Sequence, residues 1–149
     1  MMRFLWRLAK VKRDEAGELK VQKLENGAAT YDSVLKIRSN RMPVVTFVIN
    51  RVSFGRRMEL AKRVREISQR VEFLEAGNQL QEKIEANLLR HEVEATYLRW
   101  ALVRIEGLTI DGEPATAESL IDRGPEELAH EIVTAIKGQC GLSEDERKN

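Results

Sequence analysis

Cysteine chemistry is almost absent from this chain of 149 residues, which holds one cysteine, Cys140. A single cysteine excludes an intramolecular disulfide and any cysteine cluster that would hold zinc. The two histidines, His91 and His130, lie neither four residues apart nor next to a cysteine, so no metal-ligand spacing exists. The sequence therefore predicts no metal site, no cofactor and no cysteine nucleophile.

Long apolar runs and phosphate-binding motifs are also missing. No run approaches the roughly 18–20 apolar residues that a membrane-spanning helix needs, and no G-x-G-x-x-G or G-x-x-x-x-G-K pattern occurs. The opening segment is too short and too charged for a signal peptide. We therefore predict a cytoplasmic protein with no membrane partner and no catalytic residue, and hence a protein that is not an enzyme.

Charge is what the chain has in abundance: 33% of its residues are charged and 42% are hydrophobic. This balance favours amphipathic helices with solvated faces. Residues 1–41 hold 10 basic and 5 acidic residues, whereas the rest of the chain holds 15 and 19. A basic segment can bind an anionic surface, but the net charge of +1 gives no general case for nucleic acid.

The first 41 residues differ in pattern from the rest. Leu19 and Val21 alternate with polar residues, Asn26-Gly27 is typical of a hairpin turn, and 31–37 suits a return strand. This pattern predicts a basic β-hairpin at 1–41, followed by a mainly helical domain at 42–149. In the alternative interpretation, Met42 is the natural start and residues 1–41 do not belong to the domain.

Two long helices dominate the second region, after a strand predicted at 44–49. The first, over 56–76, carries one apolar stripe of Leu60, Val64, Ile67, Val71 and Leu74. Gly77-Asn78 breaks the pattern. The second helix, over 80–102, has a stripe of Ile84, Leu88, His91, Ala95, Leu98 and Leu102. A short connection predicts an antiparallel pair, and the sequence leaves open whether this pair is complete alone or packs against another copy.

The connector at 103–115 predicts a small hairpin or turn. Asp111-Gly112 is a turn signal, and Pro114 restricts any second strand to an edge. Trp100, Leu102, Leu108 and Ile110 are predicted to clamp it between helices. Beyond it, Thr116 caps a short helix over 117–122, Gly124-Pro125-Glu126 starts another, and Ser143 opens a last capping box. The expected fold is mainly α with minor β: an antiparallel helix pair, C-terminal helices and an N-terminal strand region.

Three stretches carry a resemblance to a known family. They are V-T-F-V-I-N-R-V-S-F-G-R-R-M-E-L at 45–60, L-R-W-A-L-V-R-I-E-G-L-T-I-D-G-E-P-A-T at 98–116, and G-P-E-E-L-A-H-E-I-V-T-A-I-K at 124–137, followed by L-S-E-D-E-R-K-N. From residue 42 onward the chain resembles the small tail assembly chaperones of long-tailed bacteriophages and their prophage relatives. Residues 1–41 lie outside the likeness.

The resemblance implies a non-catalytic role in which the protein coats a tape-measure protein and recruits tail-tube subunits during tail assembly. Such a chaperone needs exposed amphipathic helices that grip a helical client. The residues that we expect to bind a partner are Arg56, Arg57, Arg63, Arg70, Trp100, Leu108 and Ile110. Two alternatives remain: a nucleic-acid-binding accessory protein that uses the basic residues of 1–70, and a structural subunit of a phage-like particle.

Overall fold

The computed structural model describes residues 22–23 and 28–140, and the chain divides into two compact units, 1–33 and 34–149. In the first unit, β1 (Gln22–Lys23) pairs antiparallel with β2 (Ala29–Thr30). The return strand predicted over 31–37 is thus replaced by the shorter β2. The predicted capping box at Ser143 lies outside the described residues.

A three-stranded antiparallel sheet forms one layer of the second unit. Its strands are β3 (Val34–Arg38), β4 (Thr46–Asn50) and β5 (Leu102–Glu106), in the order β3-β4-β5. Ile37 lies opposite Phe47, and Phe47 lies opposite Ile105, so one face of the sheet is apolar across all three strands. This face packs into the core, in which Phe47 and Ile105 are both buried.

The boundary between the units therefore falls eight residues before the predicted position at Met42. The physical reason is that β3 pairs with β4, and that the chain after β3 is fastened to the last helix. Ser39 Oγ donates to Glu131 Oε2 at 2.6 Å, and the Asn40 N–H donates to Glu131 Oε1 at 2.6 Å. Residues 34–41 are thus structural parts of the unit that contains 42–140.

The two long helices are α1 (Phe54–Glu75) and α2 (Leu80–Ala101), which pack as an antiparallel hairpin. The Ser53 hydroxyl accepts a hydrogen bond from the Arg56 N–H and caps α1. Leu60 and Val71 of the predicted α1 stripe are buried, and the other three members are half-buried. The predicted mainly α fold with minor β is confirmed.

The stripe predicted for α2 is only partly buried. Leu98 and Leu102 are buried, but Ile84, Leu88 and His91 are exposed. The residues that face α1 are instead Ala86 and Leu89. The physical reason is that α2 carries apolar residues on two different faces, and periodicity alone does not say which face meets α1.

The connector is the predicted hairpin, with β6 (Thr109–Ile110) paired to β7 (Glu113–Pro114). Asp111 and Gly112 both have positive φ, at 52° and 83°, which suits the short polar side chain of the one and the glycine at the other. Next come α3 (Ala117–Arg123), capped by Thr116, and α4 (Glu126–Gln139). Both pack against α2.

Two separate cores result. The main core, which we call the body core, joins the sheet, the connector, α3, α4 and the adjoining ends of α1 and α2. The second core lies farther along the helix pair and consists of Val71, Ala86 and Leu89, with Ile67 and Leu74 packed against them. We call residues 65–92, which surround this second core, the helical arm.

Candidate functional site: the helical arm

The helical arm is two helices thick, so it has little capacity to bury apolar side chains. Only the facing stripes of α1 and α2 are shielded, and each helix keeps its other faces in solvent. Four large apolar side chains of the arm are consequently exposed: Phe73, Leu80, Ile84 and Leu88. Clustered apolar residues on an exposed surface mark an interaction site more often than single ones do.

An open groove runs along one side of the arm, where α1 and α2 meet. It is lined by Glu66, Gln69, Arg70, Phe73, Leu74 and Glu85. Phe73 and Leu74 form its apolar part, and the charged residues form a rim. Across the groove, Arg70 Nη2 lies 3.3 Å from Glu85 Oε1, so the rim carries both signs of charge and links the two helices.

The four arginines predicted to bind a partner are spread along α1. Arg63 Nη2 pairs with Glu59 Oε1 at 2.6 Å one turn earlier, and Arg70 lies on the groove. Arg57 is exposed near the start of the helix. Of these, Arg70 is the one that lines the groove beside an exposed apolar side chain.

Arg56 instead lies at the body end of the helix pair, against Trp100. Its guanidinium is 4.9 Å from the centre of the indole ring, and its Nη2 donates to the Trp100 carbonyl at 3.4 Å. Trp100 is 8% exposed and belongs to the body core. The contact therefore joins the start of α1 to the end of α2 by a cation–π interaction and a hydrogen bond.

Leu108 and Ile110 are also part of the body. Ile110 is buried, and Leu108 is half-buried and packs against the same core. Their side chains, like that of Trp100, pack in the body core. In this conformation these three residues supply packing rather than an exposed docking surface.

Titratable side chains meet where α2 contacts α4. His130 Nδ1 lies 3.5 Å from Glu94 Oε2, and His91 Nδ1 lies 3.9 Å from the same carboxylate oxygen. The sequence does not reveal this meeting, because the two histidines are 39 positions apart. Within residues 22–23 and 28–140, no group of three or more His, Cys, Asp or Glu side chains is placed to hold a metal ion.

Cys140 follows α4 and is buried in the body core. Burial raises the pKa of its thiol, and the positive charge of Arg57 opposes that shift. A thiol with a raised pKa is a weak nucleophile near neutral pH. Cys140 thus has the environment of a packing residue.

The exposed apolar residues of the arm are the surface that sequence reasoning missed. Leu80, Ile84 and Leu88 recur at four-residue intervals, but the sequence pattern predicts that Ile84 and Leu88 belong to the buried stripe. Phe73 lies next to the α1 stripe, and nothing in its local pattern distinguishes it from a residue that packs against α2. The sequence pattern does not show that this part of the structure is only two helices thick, and the exposure of these side chains follows from that thickness.

No helix within the described part of the chain is both long enough and apolar enough to cross a membrane. Comparisons with protein-family models, with curated proteins and with solved structures found no match.

Proposed function

We propose that this protein is a non-catalytic assembly chaperone that holds a helical client against the groove of the helical arm. The client suggested by the family resemblance of residues 42–149 is a tape-measure protein, with tail-tube subunits as the second partner. The observation that carries the proposal is the groove itself, in which exposed Phe73 stands beside a rim of mixed charge.

The groove matches the requirements of an amphipathic helix. Such a helix inserts apolar side chains at intervals of three or four residues and leaves its polar flanks at the rim. Phe73 offers a large exposed apolar surface on the groove, and aromatic residues are frequent energetic anchors of interfaces. Arg70 and Glu85 can exchange their mutual pair for charges on the client, which sets orientation more than affinity.

The site has properties that suit temporary binding. The groove is open and short, and its only large apolar anchors are Phe73 and the half-buried Leu74. Small interfaces of this kind belong to weak, transient complexes. A chaperone that leaves a finished assembly needs such a moderate affinity.

The test is co-expression of the full chain with a helical fragment of a tape-measure protein. The chain supplies a matched pair of variants on α1: Phe73→Asp in the groove, and Phe54→Asp at the far end of the same helix. These side chains are 79% and 85% exposed, so neither change should disturb folding. We expect Phe73→Asp to weaken the complex at least about tenfold, as loss of an aromatic anchor does, and Phe54→Asp to leave it unchanged.

Two outcomes would contradict the proposal. One is the absence of a complex at micromolar concentrations of both proteins. The other is an equal effect of the two phenylalanine variants, which would place the client elsewhere. DNA binding that weakens steeply with salt would support the nucleic-acid alternative, and spontaneous growth of large particles would support a structural subunit.

A further inference from the structure

The outer face of α2 is a second exposed apolar surface, distinct from the groove. Leu80, Ile84 and Leu88 lie on it at four-residue spacing and are 76%, 53% and 64% exposed. Ala86 and Leu89 already provide the face that packs against α1. A helix with one partner needs one apolar face, so α2 has one more than its packing against α1 uses.

This outer stripe continues into an interface inside the body. In the direction of the C-terminus it reaches Leu98, which is buried in the body core, and α3 and α4 both pack against α2. The contact of His130 with Glu94 places α4 at the level of residue 94. One stripe therefore runs along α2, covered by helices in its second half and uncovered from residue 80 to about residue 91.

From these observations we propose that the uncovered stripe binds the same stripe of a second copy, with the two α2 helices antiparallel and Ile84 on the two-fold axis. The stripe reads Leu-Ile-Leu in both directions, so Leu80 of one copy would face Leu88 of the other. Such an isologous contact closes after two copies. This inference does not depend on the proposed client.

The lengths of the elements select the antiparallel arrangement. At 1.5 Å per residue, α4 reaches α2 about 15 Å beyond Ile84, and the N-terminal end of α2 lies about 6 Å before it. In the antiparallel pair, the N-terminal end of α2 of each copy therefore stops short of the level at which α4 contacts α2 of the other copy. A parallel pair would bring both bodies to one level, where α3 and α4 already occupy the stripe.

Area and charge both make this association weak. Three apolar side chains per copy bury far less than the ~800 Å² per partner of a standard interface. Near the axis, Glu85 is neutralised by Arg70 at 3.3 Å, but each Lys83 would lie on the same flank as its counterpart. We therefore expect a dissociation constant in the micromolar range or weaker, and a dimer that salt strengthens because it screens the lysines.

Sedimentation equilibrium of the full chain over a wide concentration range tests the proposal. We expect reversible monomer–dimer behaviour for the wild type. Ile84→Lys and Ile84→Glu should each raise the dissociation constant at least about tenfold, since like charges would meet on the axis. An equimolar mixture of the two variants should associate again, because opposite charges would then meet. Phe54→Lys, an exposed apolar position of α1, is the matched control and should leave the dimer intact.

Cysteine cross-linking tests the direction of the helices. Ile84→Cys should form a disulfide-linked dimer under mild oxidation, whereas Leu88→Cys should not, because antiparallel packing holds the two Leu88 positions about 12 Å apart along the axis. A strictly monomeric wild type, a dimer that Ile84→Lys leaves unchanged, or efficient cross-linking of Leu88→Cys would each overturn the proposal.

Discussion

The body and the helical arm use the same two helices in different ways. In the body, α1 and α2 are one layer among several, and 18 buried residues form a continuous core with the sheet, the connector, α3 and α4. Within the part of the chain that the structure describes, the arm consists of these two helices and the turn between them, and its core has three buried residues. The comparison teaches that a helix stripe predicts burial only where enough layers exist to cover it.

The largest effect that would sharpen this comparison comes from truncation. Removal of residues 1–41 deletes β3, uncovers the edge of β4 and leaves Glu131 without the hydrogen bonds from Ser39 and Asn40. We expect it to lower the free energy of unfolding by more than about 4 kcal/mol, or to prevent folding. Removal of 1–33 leaves these contacts in place and should leave the unfolding midpoint of the body unchanged.

Denaturant unfolding monitored by circular dichroism compares the two truncations. The same measurement decides whether Met42 is a sufficient start for the domain. Equal stability of the two shortened chains would contradict this prediction. It would show that neither β3 nor the hydrogen bonds of Ser39 and Asn40 to Glu131 contribute to the free energy of unfolding.

A pair of leucine substitutions gives an intermediate effect and compares the two cores directly. Leu128→Ala opens a cavity at a fully buried position of the body and should cost about 2–5 kcal/mol. Leu89→Ala affects the three-residue core of the arm, where neighbours can relax into solvent, and should cost less. Hydrogen exchange should then rise within 65–92 only, because the arm can open without the body. Equal global destabilisation by both variants would mean that arm and body unfold as one unit.

The smallest effect concerns pH and an exposed ion pair of the body. Arg99 of α2 donates from Nε and Nη2 to the two Glu118 oxygens of α3, at 2.7 and 3.1 Å, and this lowers the pKa of the Glu118 carboxyl. A lowered folded-state pKa contributes stability that is present above the unfolded pKa, near 4.3, and lost as the pH falls through the folded value.

The comparison is between the wild type and Glu118→Gln. At neutral pH the wild type should have a slightly higher thermal midpoint than the variant, by an amount that does not depend on pH. This difference should shrink as the pH falls below about 4. If the difference in thermal midpoint instead grew as the pH fell, the pKa of Glu118 would be raised in the folded protein and the prediction would be wrong. Since both side chains are largely exposed, we expect a small effect that salt reduces further.

Local features of the fold were predictable from the sequence because their causes are local. The Thr116 cap, the Asp111-Gly112 turn and the α1 stripe all depend on residues within a few positions of one another. Pairing of β3 with β4 and of β4 with β5 was not predicted. Nothing in residues 34–38 identifies their partner, and β4 and β5 are separated by the whole helix pair.

The candidate site was predictable only in part. Arg70 was expected to meet a partner and does line the groove, but Phe73 and Leu80 were not singled out. Trp100 and Ile110 were expected at an interface, and the structure buries them in the body. Exposure depends on the tertiary structure: α4 contacts α2 at Glu94, whereas Ile84 and Leu88, earlier on α2, are exposed.

The hydrogen bond between Ser39 and Glu131 joins positions 92 residues apart. On a ribosome, the N-terminus of the chain emerges first. The segment after β3 can therefore form its hydrogen bond to Glu131 only when nearly the whole unit has been synthesised. The arm depends on contacts across one short turn and is complete once residue 92 has emerged. The surface with which this protein is proposed to meet other molecules can thus exist on a nascent chain whose body is still open.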